Sequence, residues 1–189
     1  MVDADIRVMT THEFESVIQA SDEPANLLEL VYGEMVEKVP TDEHGKLAAL
    51  IAHFLLSFIL PRGIKGHVGV DVRHQIPDDP HNSRLPGVSL RLSDAPPVSS
   101  GVVSQMPDLA VEIQSPKDRP HQMRETALYY LQKGARLVWL VYPATQQIEF
   151  CILDESGNLA IETVDSNGAV SGCDVLPDFR LSLADLFAS

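Results

Sequence analysis

The chain has 189 residues, enough for one domain of ordinary size and too few for two. Hydrophobic residues make up 44% and charged residues 22%, a globular profile that excludes a largely disordered or fibrous chain. Against 14 lysines and arginines stand 27 aspartates and glutamates, so the formal charge is −13, which argues against broad, sequence-independent nucleic-acid binding because neutralising phosphates needs a basic surface.

The start of the chain, Met1-Val2-Asp3-Ala4-Asp5, shows neither the basic nor the apolar segment of a secretory signal. The longest apolar stretch, Leu47 to Leu60, is interrupted by His53 and Ser57 and falls short of the roughly 20 residues needed to cross a bilayer. A cytoplasmic protein with no membrane partner is expected. Cys151 and Cys173 lack CxxC spacing and a nearby histidine, which fits unpaired thiols rather than a zinc site.

In chain order, Thr10-x-x-Glu13 is a capping-box pattern, and Phe14, Val17 and Ile18 follow at helical spacing, so a short amphipathic helix starts near Thr11. Leu27 to Tyr32 and Met35 to Val39 flank a Gly33 turn and predict a β-hairpin that Pro40 ends. Thr41 or Asp42 can cap the next helix, which carries Leu47, Leu50, Ile51, Phe54, Leu55, Phe58 and Ile59 and stops at Pro61-Arg62-Gly63. Apolar on nearly all sides, it should be covered on nearly all sides. Gly66 to Ile76 and Leu85 to Leu92 are strand-like and should pair antiparallel across a turn-rich loop. Ser93 to Gln105 is dense in Pro, Ser and Gly and predicts an exposed loop able to act as a flap. A strand from Pro107 to Gln114, a helix from about Pro120 to Lys133 stopped by Gly134, and a strand from Arg136 to Val141 form a βαβ unit with a parallel pair. From Gln147 short strands and tight turns predict a meander that extends the sheet, closed by a short helix at Leu183 to Phe187. Without repeats or linkers, residues 1–189 read as one domain.

A strand inside a βαβ unit is covered on both faces and should be apolar throughout. Glu112 breaks that rule. With a period of two, Leu109, Val111 and Ile113 point to one face and Asp108, Ala110, Glu112 and Gln114 to the other. Glu112 and Gln114 lie roughly 6.6 Å apart, within reach of one ligand, whereas Asp108 at about 13 Å does not share a metal with Glu112. The plain alternative is that Glu112 pairs with an Arg or Lys of the following helix, since buried charges are costly when alone. Trp139 reads as core. The remaining histidines show no HxH or HxxxH spacing, and no GxGxxG, P-loop or GxSxG motif is present, which removes nucleotide-binding and serine-hydrolase readings.

Leu28-Glu29-Leu30-Val31-Tyr32-Gly33-Glu34-Met35-Val36, Glu43-His44-Gly45 and Pro107-Asp108-Leu109-Ala110-Val111-Glu112-Ile113-Gln114-Ser115-Pro116 occur in that order, followed by Tyr130 to Pro143 and Asp174 to Phe179. In that arrangement the chain resembles the Uma-type restriction endonuclease family over nearly its whole length. The resemblance implies an α/β restriction-endonuclease-like fold of the PD-(D/E)XK type, a central mixed sheet flanked by helices, with an N-terminal helix and hairpin and a C-terminal meander. It further implies DNA as substrate and Mg2+ or Mn2+ as cofactor. By the same resemblance Glu112 is retained, while Gly87 stands where the family has an acid, Gln114 where its motif has lysine, and Thr126 where its helix commonly has one.

The site expected on this basis has Glu112, Gln114 and Lys117 as catalytic residues and Glu112, Asp71 and His74 as metal ligands. His74 would replace the missing acid if the hairpin register set it opposite Gly87. Asp71 lies further along the same strand, and Lys117 or Arg124 would supply the cation. Glu43 and His44 could face the same cleft, with helix capping the alternative for Glu43. Two readings follow: a metal-dependent DNA endonuclease with a degenerate centre, or a catalytically inactive binding or regulatory protein of the same fold; a homodimer is expected. A local basic patch of Arg73, Arg84, Arg91, Lys117, Arg119 and Arg124 would let either meet DNA.

Overall fold

The computed structural model describes residues 8–20 and 27–188, so the Met1 to Asp5 stretch lies outside the described residues. The capping box closes as its spacing predicts: Glu13 N donates to Thr10 Oγ1 at 3.3 Å, Thr10 N donates to Glu13 Oε2 at 2.9 Å, and helix α1 runs Thr11–Ala20 with Phe14 fully buried beneath it. Strands β1 (Leu28–Val31) and β2 (Glu34–Glu37) form the expected antiparallel hairpin. Its turn has positive φ at both Tyr32 (50°) and Gly33 (82°), the twist a two-residue hairpin loop favours. Only glycine fits at 33, where a Cβ would lie 2.5 Å from the Val8 side chain. The hairpin docks on the rest of the chain through a bridge between Leu30 and Ser83, with Leu30 fully buried.

Helix α2 (Asp42–Ile59) is capped by the Thr41 side chain, which accepts from His44 N. It buries one face, through His44, Leu47, Ala48, Ile51, Leu55 and Ile59. Cover on nearly all sides is not what the structure shows: His53, Leu56 and Ser57 lie on an exposed face and Phe54 and Phe58 are half-buried.

Beyond α2 come β3 (His67–Val70), β4 (Val88–Arg91), β5 (Leu109–Ile113), α3 (Pro120–Gln132), β6 (Leu137–Tyr142), β7 (Gln147–Leu153) and β8 (Leu159–Val164). These six strands form one mixed sheet in the order β3-β4-β5-β6-β7-β8, parallel only at β5–β6. The pair β3–β4 is antiparallel as expected but short, because Asp71 takes a positive φ of 50° and turns the chain out of the strand. The meander holds only through β8. Strands β9 (Ala169–Gly172) and β10 (Leu176–Ser182) pair with each other in a separate two-stranded sheet, and helix α4 (Leu183–Phe187) follows.

The alternation read from β5 sorts the two faces. Leu109, Val111 and Ile113 join Leu137, Trp139 and Val141 of β6 in a core with α2, β9, β10 and α4. Trp139 is fully buried there, its ring 5.9 Å from that of Phe179 and nearly parallel to it. Ala110, Val138 and Leu140 face α3 with Met123, Ala127, Tyr130 and Leu131. On that second face lies Glu149 of β7, 5% exposed, whose carboxylate is gripped by the Arg124 guanidinium and the Tyr142 hydroxyl, the latter at 3.0 Å.

The hydrogen bond from Arg124 holds the Glu149 carboxyl below its ordinary value of 4.5, against the opposing effect of burial. A lowered folded-state pKa contributes stability that is present above the unfolded value and is lost as pH falls through the folded one. In urea unfolding, the stability gap between wild type and Glu149→Gln should therefore be open near about pH 7 and close progressively below 4.5. A gap that stays constant across that window would reject the assignment.

Candidate functional site

Five residues of β5 are buried without interruption, and Glu112 is one of them, 8% exposed on the face that meets α3. A carboxylate so placed needs a compensating donor for each oxygen. Both are supplied. The Tyr130 hydroxyl of α3 donates to Oε1 at 2.6 Å, and the Lys38 ammonium donates to Oε2 at 2.9 Å. Lys38 follows directly on β2, so the hairpin delivers it over the end of the sheet, where its Nζ also donates to the Leu85 carbonyl at 2.6 Å. Glu29, on β1, is 8% exposed and accepts from Leu85 N at 2.5 Å. Glu29, Lys38, Glu112, Asp118, Gln122 and Thr126 line one cavity of about 100 Å³.

The electrostatics follow from this packing. Burial alone would lower the Lys38 pKa, but the charges of Glu112 and Glu29 outweigh it and hold the ammonium protonated well above the ordinary lysine range. Burial pushes the Glu112 carboxyl up, Lys38 pulls it back, and Glu29 adds to the rise. Burial and the Glu112 charge raise the Tyr130 hydroxyl far above its ordinary value, so it remains a donor. His44 is 4% exposed, and burial and Lys38 lower the pKa of its imidazole, with Asp71 and Asp118 opposing. The Asp71 carboxyl is raised by burial and by Glu29, with Lys38 and His44 opposing.

The residues expected from sequence are dispersed. Opposite Gly87 stands Asp71, whose N–H donates to the Gly87 carbonyl at 3.3 Å, so the register that would have brought His74 there does not occur. His74 instead bridges to Arg84 and Val103, 1% exposed, with Nδ1 bonded to the Gln105 carbonyl at 2.7 Å. Gln114 donates to the Asp118 carbonyl and lines a different cavity, with Thr41, Asp42 and Glu43. Lys117 borders a third, beside Lys38, Val39 and Asp118. Arg124 is committed to Glu149, and Asp108 at the far end of β5 accepts from Leu92 N and pairs with Arg136. A Cβ at position 87 would lie 3.5 Å from the His44 ring, so that position opens toward His44 as the start of α2 suggested, while Glu43 is exposed.

The cationic partner of Glu112 thus comes from the hairpin, while the following helix supplies the Tyr130 hydroxyl. Lys38 carried no signal in its own neighbourhood, because a lysine after a strand reads as a solvated end. Glu29 and Tyr130 stood inside the quoted motifs without a role.

A hard divalent cation takes six or more oxygen ligands. Here the Glu112 oxygens hold Tyr130 and Lys38, one Glu29 oxygen holds Leu85 N, the Leu85 carbonyl holds Lys38, and Gly87 offers no side-chain donor. Among the described residues no three His, Cys, Asp or Glu side chains group so as to hold a metal ion. The residues as folded do not fit magnesium or manganese.

A family model described as "Putative restriction endonuclease", Uma2, matches residues 12–184. The solved structure of "a putative nuclease belonging to DUF820 from Anabaena variabilis" matches with a TM-score of 0.77 and 21% identity, covering 95% of this chain and 98% of that one. At that identity the likeness shows the fold: a central mixed sheet flanked by helices, shared with a nuclease-like protein. No curated protein matches the chain. No helix among the described residues is long and apolar enough to cross a membrane.

Removing Lys38 leaves a desolvated carboxylate behind. Lys38→Met is expected to destabilise the fold by about 3–5 kcal/mol, and Lys38→Met with Glu112→Gln to recover most of that loss. Equal urea midpoints for wild type and Lys38→Met would mean the pair contributes nothing to the fold.

Proposed function

The chain belongs to the Uma2 family, whose description reads "Putative restriction endonuclease", and on that premise we propose that it is a nuclease-fold protein with a degenerate phosphodiester-hydrolysing centre, retained as a binding or regulatory protein. The single observation that carries this is the state of Glu112. Both of its oxygens are engaged by the chain's own donors, and the neighbouring position that would share a ligand with it is Gly87.

Phosphodiester hydrolysis needs a group that polarises the phosphate, stabilises the developing charge and generates hydroxide; magnesium or manganese would supply that chemistry if bound. The donors present do not assemble a seat for either. Half of the basic patch expected from sequence supports the same reading. Of the six proposed for a DNA-facing patch, Arg84 is buried against Tyr32 and Tyr129, Arg124 is paired with Glu149, and Arg73 donates to the Leu28 carbonyl over Phe14. Lys133 and Arg136, outside that group, pair with Asp79 and with Asp108 and Asp174. Cations spent inside the chain do not neutralise phosphates outside it.

A second reading, a metal-dependent DNA endonuclease, is favoured by one observation: Glu29, Glu112, Asp118 and Lys38 still border a single cavity. The two readings separate in one assay. Supercoiled and single-stranded DNA are incubated with Mg2+ or Mn2+ and either wild type or Glu112→Ala. Equal background with both proteins is the expected result. Metal-dependent nicking by wild type that Glu112→Ala abolishes would overturn the inactive reading in favour of the endonuclease.

A further inference from the structure

We infer that the Lys38 ammonium is the resident cation of the Glu29–Glu112 cleft and that it excludes a divalent metal from it. The inference rests on the reading that the centre does not work as a metal site, and it supplies the cause: the seat is filled by a charge built into the chain.

The contacts of Nζ are those a hard cation would take. It sits between a carboxylate oxygen of Glu112 at 2.9 Å and the backbone carbonyl of Leu85 at 2.6 Å, in the field of Glu29. Oxygen atoms of this kind, carboxylate and backbone carbonyl together, are what magnesium and manganese bind. A metal approaching the same oxygens would meet the ammonium at contact distance, and like charges at that separation in a poorly solvated site repel strongly.

The lysine is also held in place. Its own backbone N–H donates to the Leu27 carbonyl at 2.7 Å, continuing the hairpin pairing. Its side chain is 21% exposed and that of Glu112 is 11% exposed, so water does not screen the pair as it would at the surface.

Thr126 borders the same cavity, and neither it nor Gln122 carries a charge, so Lys38 is the cationic side chain on that cavity's lining. Taking its ammonium away leaves Glu112, Glu29 and the Leu85 carbonyl around an open space. A variant without it is then a candidate metal site where the wild type is not.

The test is titration of each protein with MnCl2, followed by electron paramagnetic resonance of the free ion and by thermal melting. Wild type is expected to show no saturable binding and no melting shift. Lys38→Ala should bind one Mn2+ per chain at least about tenfold more tightly than wild type and melt at a temperature that rises with Mn2+ concentration. Adding Glu112→Gln to Lys38→Ala should remove both effects.

Glu112-dependent Mn2+ binding by wild type, or a folded Lys38→Ala that binds no more tightly than wild type, overturns the inference. Should Lys38→Ala not fold in metal-free buffer, dilution from urea with and without Mn2+ is the same test. Recovery of the native circular dichroism only with Mn2+ supports the inference, and no recovery rejects it. DNA cleavage decides the reading of the preceding subsection separately. A wild type that leaves DNA intact, with a Lys38→Ala variant that ignores Mn2+, keeps that reading and discards this one.

Discussion

A carboxylate in a strand covered on both faces is the constraint around which this molecule is arranged. Desolvating Glu112 without compensation would cost several kcal/mol, more than a marginally stable fold can lose at one point. The compensation comes from two elements that β5 does not otherwise bring together, the β1–β2 hairpin through Lys38 and helix α3 through Tyr130. The ion pair therefore works as a clasp. It pins the hairpin across the end of the sheet, in register with the Leu30–Ser83 bridge and the Glu29 contact to Leu85 N. What looks like a site for chemistry is also a structural joint, which is why a single substitution there bears on stability and on ligand binding together.

The chain's acidity has a matching consequence. With 27 acidic and 14 basic side chains, cations are scarce, and the described structure uses several of them internally. Lys38 serves Glu112, Arg124 serves Glu149, Lys133 serves Asp79, and Arg136 serves Asp108 and Asp174. In the cavity that Glu29 and Glu112 border, the positive charge is Lys38, and it is bonded to the chain's own oxygens. Surface ion pairs such as Arg136–Asp174 contribute little to stability, whereas the desolvated ones at Glu112 and Glu149 carry most of the electrostatic weight.

Much of the architecture was legible because its signals are local. The capping box of α1, the two-residue hairpin turn, and the strand-helix-strand unit around α3 each announce themselves within a dozen or so residues. The face of β5 on which Glu112 lies followed from the period of two alone. Where the reading missed, the deciding contacts were distant. Helix α2 is apolar over most of its surface yet covered on one side, since what covers it is set by the sheet strands β3, β4 and β5 and by α4 and Phe179 of β10 much later in the chain. Strands β9 and β10 left the expected meander to pair with each other. The register that would have placed His74 opposite Gly87 was displaced by the positive φ of Asp71, a backbone conformation its residue type permits but does not announce.

By itself, then, the amino-acid order determined the family, the parallel β5–β6 pair, the side of the sheet that bears Glu112, and the lack of an acid at position 87. Only the tertiary structure decided which cation answers that glutamate, because Lys38 and Glu112 stand 74 residues apart. Hydrophobic periodicity records which face of an element is covered, and a hydrogen-bonding motif records contacts a few residues long. A buried ion pair between separate elements obeys neither rule. It is selected by the packing that brings two desolvated charges within reach, and that packing exists only once the chain has folded.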